Sequence, residues 1–156
     1  MSMPTLKTAV SALALMAACM AVPAYAQSGD APVIVQPDDW SLVQRDGLSV
    51  VTAPEGNLDI AVVDVGPADD ALAAASADWQ VYAPDAQRTV ELTTPAAAGN
   101  GWDQRVSISY ATSPSEQATV NALALRQGEA WTVVIVNGAQ STANIRSAAV
   151  SLARDS

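Results

Sequence analysis

The chain has no histidine, no phenylalanine, one cysteine and one lysine. Without histidine there can be no Ser-His-Asp triad, no Cys-His pair and no zinc site built on imidazole. Lys7 and Cys19 both lie near the N-terminus, inside a stretch that reads as a removable leader. Once that leader is gone, no lysine remains for Ser-x-x-Lys catalysis, a Schiff base or a P-loop, and no thiol remains for nucleophilic or disulfide chemistry. Basic residues are scarce as well: Lys plus Arg total 7 against 16 Asp plus Glu, a net charge of −9 that loss of Lys7 makes one unit more negative. A surface this acidic repels nucleic acid and anionic headgroups and favours solubility. Aromatics make up only 4% of the chain, so its four tryptophans stand out as packing anchors.

What is present begins with that leader. Lys7 precedes the apolar run from Thr8 to Val22, and Ala24-Tyr-Ala26 supplies small residues at an A-x-A cleavage position before Gln27. The run is shorter than the roughly 20 residues a transmembrane helix needs, so no membrane span is expected. Residues 1–26 therefore read as a signal peptide, and the expected location is periplasmic or secreted after cleavage near Ala26. Met16-Ala-Ala-Cys19 loosely resembles a lipoprotein box, which leaves a second route open: an envelope protein anchored by lipid on Cys19. Residues 27–39, rich in Pro, Asp and Gly, read as an extended entry segment in which Val33–Val35 adds a short edge strand. Residues 40–156 read as one domain.

Within the domain, Trp40–Val43 and Leu48–Thr52 flank Asp46-Gly47, a strong hairpin signal. Leu58–Val65 carries apolar residues on both faces and calls for cover on each side. Gly66-Pro67 is expected to end this strand and open a helix, with Asp69 and Asp70 in its first turn and Leu72, Ala75 and Trp79 as its apolar stripe. Arg88–Thr94 reads as a strand with Val90 and Leu92 inward. Trp102–Ala111, Gln117–Arg126 and Ala130–Asn137 form a three-stranded meander, and the last of these, apolar on both faces, belongs in the middle of the sheet. Ser141 or Thr142 is expected to cap a final helix whose stripe is Ile145, Ala148, Ala149 and Leu152, with Arg154 in its last turn. The expected fold class is α+β, a mostly antiparallel sheet of about six to seven strands with two covering helices. That element order is similar in outline to Mog1/PsbP-like domains.

Carboxylates are the acid–base groups that remain. Glu91, Asp103, Glu116 and Glu129 either form a pair across a cleft, as glycan hydrolysis requires, or are solvated ends of strands and turns. Asp38-Asp39 and Asp69-Asp70 lack the surrounding D-x-D-x-D-G pattern of a calcium loop, and Gly99-Asn-Gly101 lacks the third glycine and following helix of a nucleotide loop. No metal and no cofactor is expected. Arg105, between Trp102 and Tyr110, either recognises a carboxylate or phosphate or pairs with Asp103 or Glu116. Trp102 and Trp131 either line a ligand pocket or anchor the core. Arg105, Trp102 and Tyr110 are thus the candidate ligand-binding residues.

Gly101-Trp-Asp-Gln-Arg105, Tyr110-Ala-Thr-Ser-Pro114, Ala130-Trp-Thr-Val-Val134 and Ile145–Leu152 resemble an exported module. It is the non-catalytic N-terminal region that precedes the class C β-lactamase-like domain in serine hydrolases of some alphaproteobacteria. The resemblance spans roughly Leu48 to Leu152. It implies an accessory role beside a serine hydrolase in the envelope. It transfers no catalytic residue, because the Ser-x-x-Lys and Tyr-x-Asn motifs of those hydrolases belong to the downstream domain and the tyrosine here reads Tyr110-Ala-Thr112. The expectation is a non-enzymatic exported accessory or binding module with a protein partner. A small carboxylate-dependent glycan hydrolase and a lipid-anchored envelope protein are the alternatives.

Overall fold

The computed structural model describes residues 34–154, with side chains to residue 151. The signal-peptide reading of residues 1–26, Cys19 with it, lies outside the described residues, as do the first part of the entry segment and Val33. Seven strands make one antiparallel sheet: β1 (Ser41–Arg45), β2 (Leu48–Thr52), β3 (Leu58–Pro67), β4 (Val90–Ala96), β5 (Gln104–Tyr110), β6 (Ala118–Gln127) and β7 (Ala130–Ala139). Their spatial order is β1-β2-β3-β7-β6-β5-β4, so β7 is central, as its two apolar faces require. Helix α1 (Ala71–Tyr82) covers one face, and α2 (Gln140–Ile145) and α3 (Ser147–Arg154) pack on the other. The fold is α+β.

Period-two alternation divides the core into two layers. Trp131, Val133 and Ile135 of β7 join Ala61, Val63, Ala122, Ala124, Val106 and Ile108 beneath α1. Val134 and Val136 join Leu58, Ile60, Val62, Leu123 and Leu125 on the opposite side, where Ile34 and Trp40 add cover. Trp40, Trp79 and Trp131 are all buried, the anchoring role that a chain without phenylalanine assigns to them. β3 and β7 are joined at Leu58↔Gly138, where only glycine fits. A Cβ on Gly138 would lie 2.5 Å from the Cα of Leu58 and closer still to the Asn57 carbonyl.

Several local expectations are corrected. Ile34 and Val35 are not in a strand; Ile34 instead plugs the core edge. β3 runs through Gly66 and Pro67 rather than ending before them, because both still pair with β7, at Trp131 and Ala130. Helix α1 consequently starts later. Asp70 is its N-cap, accepting from the Ala73 amide at 2.8 Å, and neither Asp69 nor Asp70 lies in its first turn. Its buried side is Ala71, Ala74, Ala75, Asp78 and Trp79, while Leu72 is exposed. The final helix is two short ones. α2 begins at Gln140 with Ala139 at the cap position, so Ser141 and Thr142 lie inside it, and Ile145 points to solvent at 78% exposure. Thr142 is buried and donates to Asn57 Oδ1 at 2.9 Å, which ties α2 to the β2–β3 turn. The side chains of Leu152 and Arg154 lie outside those described.

Candidate functional site

Among the described strands, β4 is the least covered. β4 is paired on one side only, with β5, and every one of its seven residues is exposed. The expectation that Val90 and Leu92 point inward is corrected: they are 41% and 59% exposed. A bulge at Glu91 shifts the register between them, and α1 packs on β3, β6 and β7 without extending cover over this strand. Beyond the bulge, Leu92, Thr94 and Ala96 sit opposite Ser109, Ser107 and Arg105. They continue, at its open end, the sheet face on which α2 packs against β6 and β7.

The three residues singled out from sequence fall on two faces. Arg105 lies on the α2 side of β5, and its Nε is buried without an acceptor. Neither Asp103 nor Glu116 pairs with it. Trp102 is half-buried against the same core layer and is fixed by reciprocal backbone hydrogen bonds with Gly99. Tyr110 points the other way, into the layer beneath α1, where it meets Trp79 edge-on with centroids 5.5 Å apart.

Two of the four carboxylates of the hydrolase alternative, Asp103 and Glu116, are taken up locally. Asp103 Oδ2 accepts from the Gly128 amide at 2.7 Å and holds the β6–β7 turn. Glu116 accepts from the Ser113 amide at 2.8 Å and from Arg88 at 3.1 Å, and these bonds hold its carboxyl below the usual range. A glycosidase acid needs the opposite shift. Glu129 lines a recess of about 390 Å³ with Pro67, Ala68, Asp69, Arg126, Gly128 and Trp131. There the Arg126 guanidinium lies 5.9 Å from the centre of the Trp131 ring, a cation–π contact at the solvent boundary.

Sequence reasoning missed Asp78. It is 0% exposed on the sheet-facing side of α1, and neither carboxyl oxygen has a hydrogen-bond partner. Burial pushes its carboxyl up to about 8, so the group is largely protonated at neutral pH. Tyr82 and Tyr110 stand around it, both pushed up chiefly by burial, Tyr82 to about 12. Tyr82 donates to Asp59 Oδ2 at 3.1 Å and accepts from Asn137 at 3.3 Å, while Thr52 donates to Asp59 Oδ1 at 2.7 Å. The signal was available: Asp78 follows Ala71, Ala74 and Ala75 at helical spacing, on the side that Trp79 drives into the sheet.

Among the described residues no group of three or more acidic, His or Cys side chains is placed to hold a metal ion, and no helix is long and apolar enough to cross a membrane. No protein-family model matches the chain, and no curated protein matches its sequence.

Proposed function

We propose that this domain is a non-enzymatic, exported binding module that takes an extended segment of a partner protein onto the free edge of β4. The observation that carries the reading is the exposure of all seven β4 residues, Val90 and Leu92 included, on a strand paired along one side only. Unpaired backbone groups on such an edge give affinity, and pockets beside alternate side chains give selectivity. Native sheets usually blunt an edge of this kind with charge or proline; here Glu91 and Pro95 do so only in part. The net charge of −9 favours a partner segment bearing Lys or Arg. An envelope serine hydrolase is the partner that the family resemblance suggests.

The test is a crosslinked pull-down with the processed protein from its own periplasm, probed with an active-site label for serine hydrolases. A parallel bait carries Val90→Lys and Leu92→Lys. A labelled hydrolase retained by the parent and lost from the double variant supports the reading. Equal retention by both removes β4 as the surface, and no labelled hydrolase on either removes the hydrolase partner.

A further inference from the structure

We propose that Asp78 is a proton-operated latch that seats α1 on the sheet: α1 lies closed while this side chain is neutral and is released by its ionisation. The geometry leaves the carboxyl no other stable state. It sits in the second half of α1, fully buried, with no donor to either oxygen. Every other residue of that buried side is apolar, three alanines and Trp79.

The charged and titratable groups around it do not neutralise an anion there. On α1 itself Tyr82 lies one turn along, and its hydroxyl is already committed to Asp59 of β3. β5 presents Tyr110, which is packed against Trp79. β6 and β7 present Val120, Ala122 and Ile135, with the uncharged Asn137 beyond them. Arg126 and Arg45 share this sheet face but stand opposite Trp131 and Leu48, toward the end where α1 begins. Arg88, in the segment after α1, is held by Glu116. An ionised Asp78 would face the phenols of Tyr82 and Tyr110, and among the described residues no cation pairs with it. Moving α1 away from the sheet restores its hydration.

The direction with pH follows from proton binding. With α1 open, Asp78 titrates near its ordinary value of 3.8; with α1 closed it titrates at about 8. Between those limits the closed form holds a proton that the open form has lost. The opening equilibrium therefore rises up to tenfold per pH unit from about pH 4 to about pH 8, then levels off. Below pH 4 both forms are protonated and the effect vanishes.

Amide hydrogen exchange between pH 5 and 7.5 reads this opening, because protection factors are corrected for the pH dependence of intrinsic exchange. In the parent protein the protection of the 75–82 amides falls steeply, approaching tenfold per pH unit. In Asp78→Asn, which is the same size and cannot ionise, protection stays flat across the range. Parallel slopes in the two proteins would overturn the latch. A second measurement needs no variant: the Asp78 side-chain carboxyl carbon is followed by NMR. A midpoint near 8 supports the proposal, and one in the ordinary carboxylate range overturns it.

Discussion

β7 and β4 are strands of the same antiparallel sheet, yet they occupy opposite extremes of it. β7 has neighbours on both sides and cover on both faces, with Trp131, Val133, Val134, Ile135 and Val136 all buried. β4 has one neighbour and seven exposed residues. The core strand is fixed by packing on every side, so its sequence must be apolar at consecutive positions. The edge strand is fixed by a single ladder, and its side chains are free for something else. Stability is concentrated at one end of this comparison, and the surface available to a partner lies at the other.

The strongest way to break the central region is at Gly138. Gly138→Ala places a methyl group against the backbone of Asn57 and Leu58, which cannot yield as a side chain would. The expected cost is at least about 3 kcal/mol, from overpacking between paired strands. Chemical denaturation should show a large drop in midpoint, or no folded protein at all. A near-neutral result would mean that β3 and β7 separate easily at this point, and the contrast with β4 would weaken.

The next effect lies at the α1 interface and has the opposite sign. Asp78→Leu removes a buried carboxyl without partners and fills its site with apolar atoms. Since the native carboxyl titrates at about 8 against an ordinary 3.8, the parent loses stability as pH rises between those values. The leucine variant should be more stable by on the order of a few kcal/mol at pH 8, with little gain at pH 4. Urea denaturation at the two pH values checks this. A gain that is equal at both would assign the effect to packing alone.

A smaller effect is expected where α2 meets the β2–β3 turn. Thr142→Val leaves Asn57 Oδ1 without its buried donor while preserving shape, and should cost about 1 kcal/mol. A shift in thermal midpoint of a few degrees would place the α2 junction between the two extremes.

These regions differed in how far the sequence disclosed them. Alternation in 104–110 and the doubly apolar run of 131–136 revealed the sheet, its class and its central strand, because period and burial are coupled there. At α1 the proline at 67 was a misleading start signal. Pairing with Ala130 kept it in the strand, and tertiary contact overrode local preference. Ile145 broke the expected stripe because a turn at Arg146 re-aims the chain between α2 and α3. Residue types named Arg105, Trp102 and Tyr110, but β5 alternates, so Tyr110 points away from the face that carries Arg105. Asp78 was legible through its spacing from Ala71, Ala74 and Ala75, but a stripe drawn through Leu72, Ala75 and Trp79 passed over it because an aspartate is ordinarily solvated.

Leu92→Lys is expected to have the smallest effect on stability and thereby sharpens the comparison most. Leu92 is 59% exposed on an edge strand that, among the described residues, only β5 pairs, so the variant should unfold within about 0.5 kcal/mol of the parent. Binding should respond differently. A lysine beside the unpaired edge disfavours strand addition by charge and by side-chain desolvation, so capture of an extended partner segment should fall at least tenfold. Denaturation and partner capture measured on the same preparation separate the two. Intact stability with lost capture makes β4 a surface maintained for a partner, whereas a loss of both would make Leu92 part of the fold.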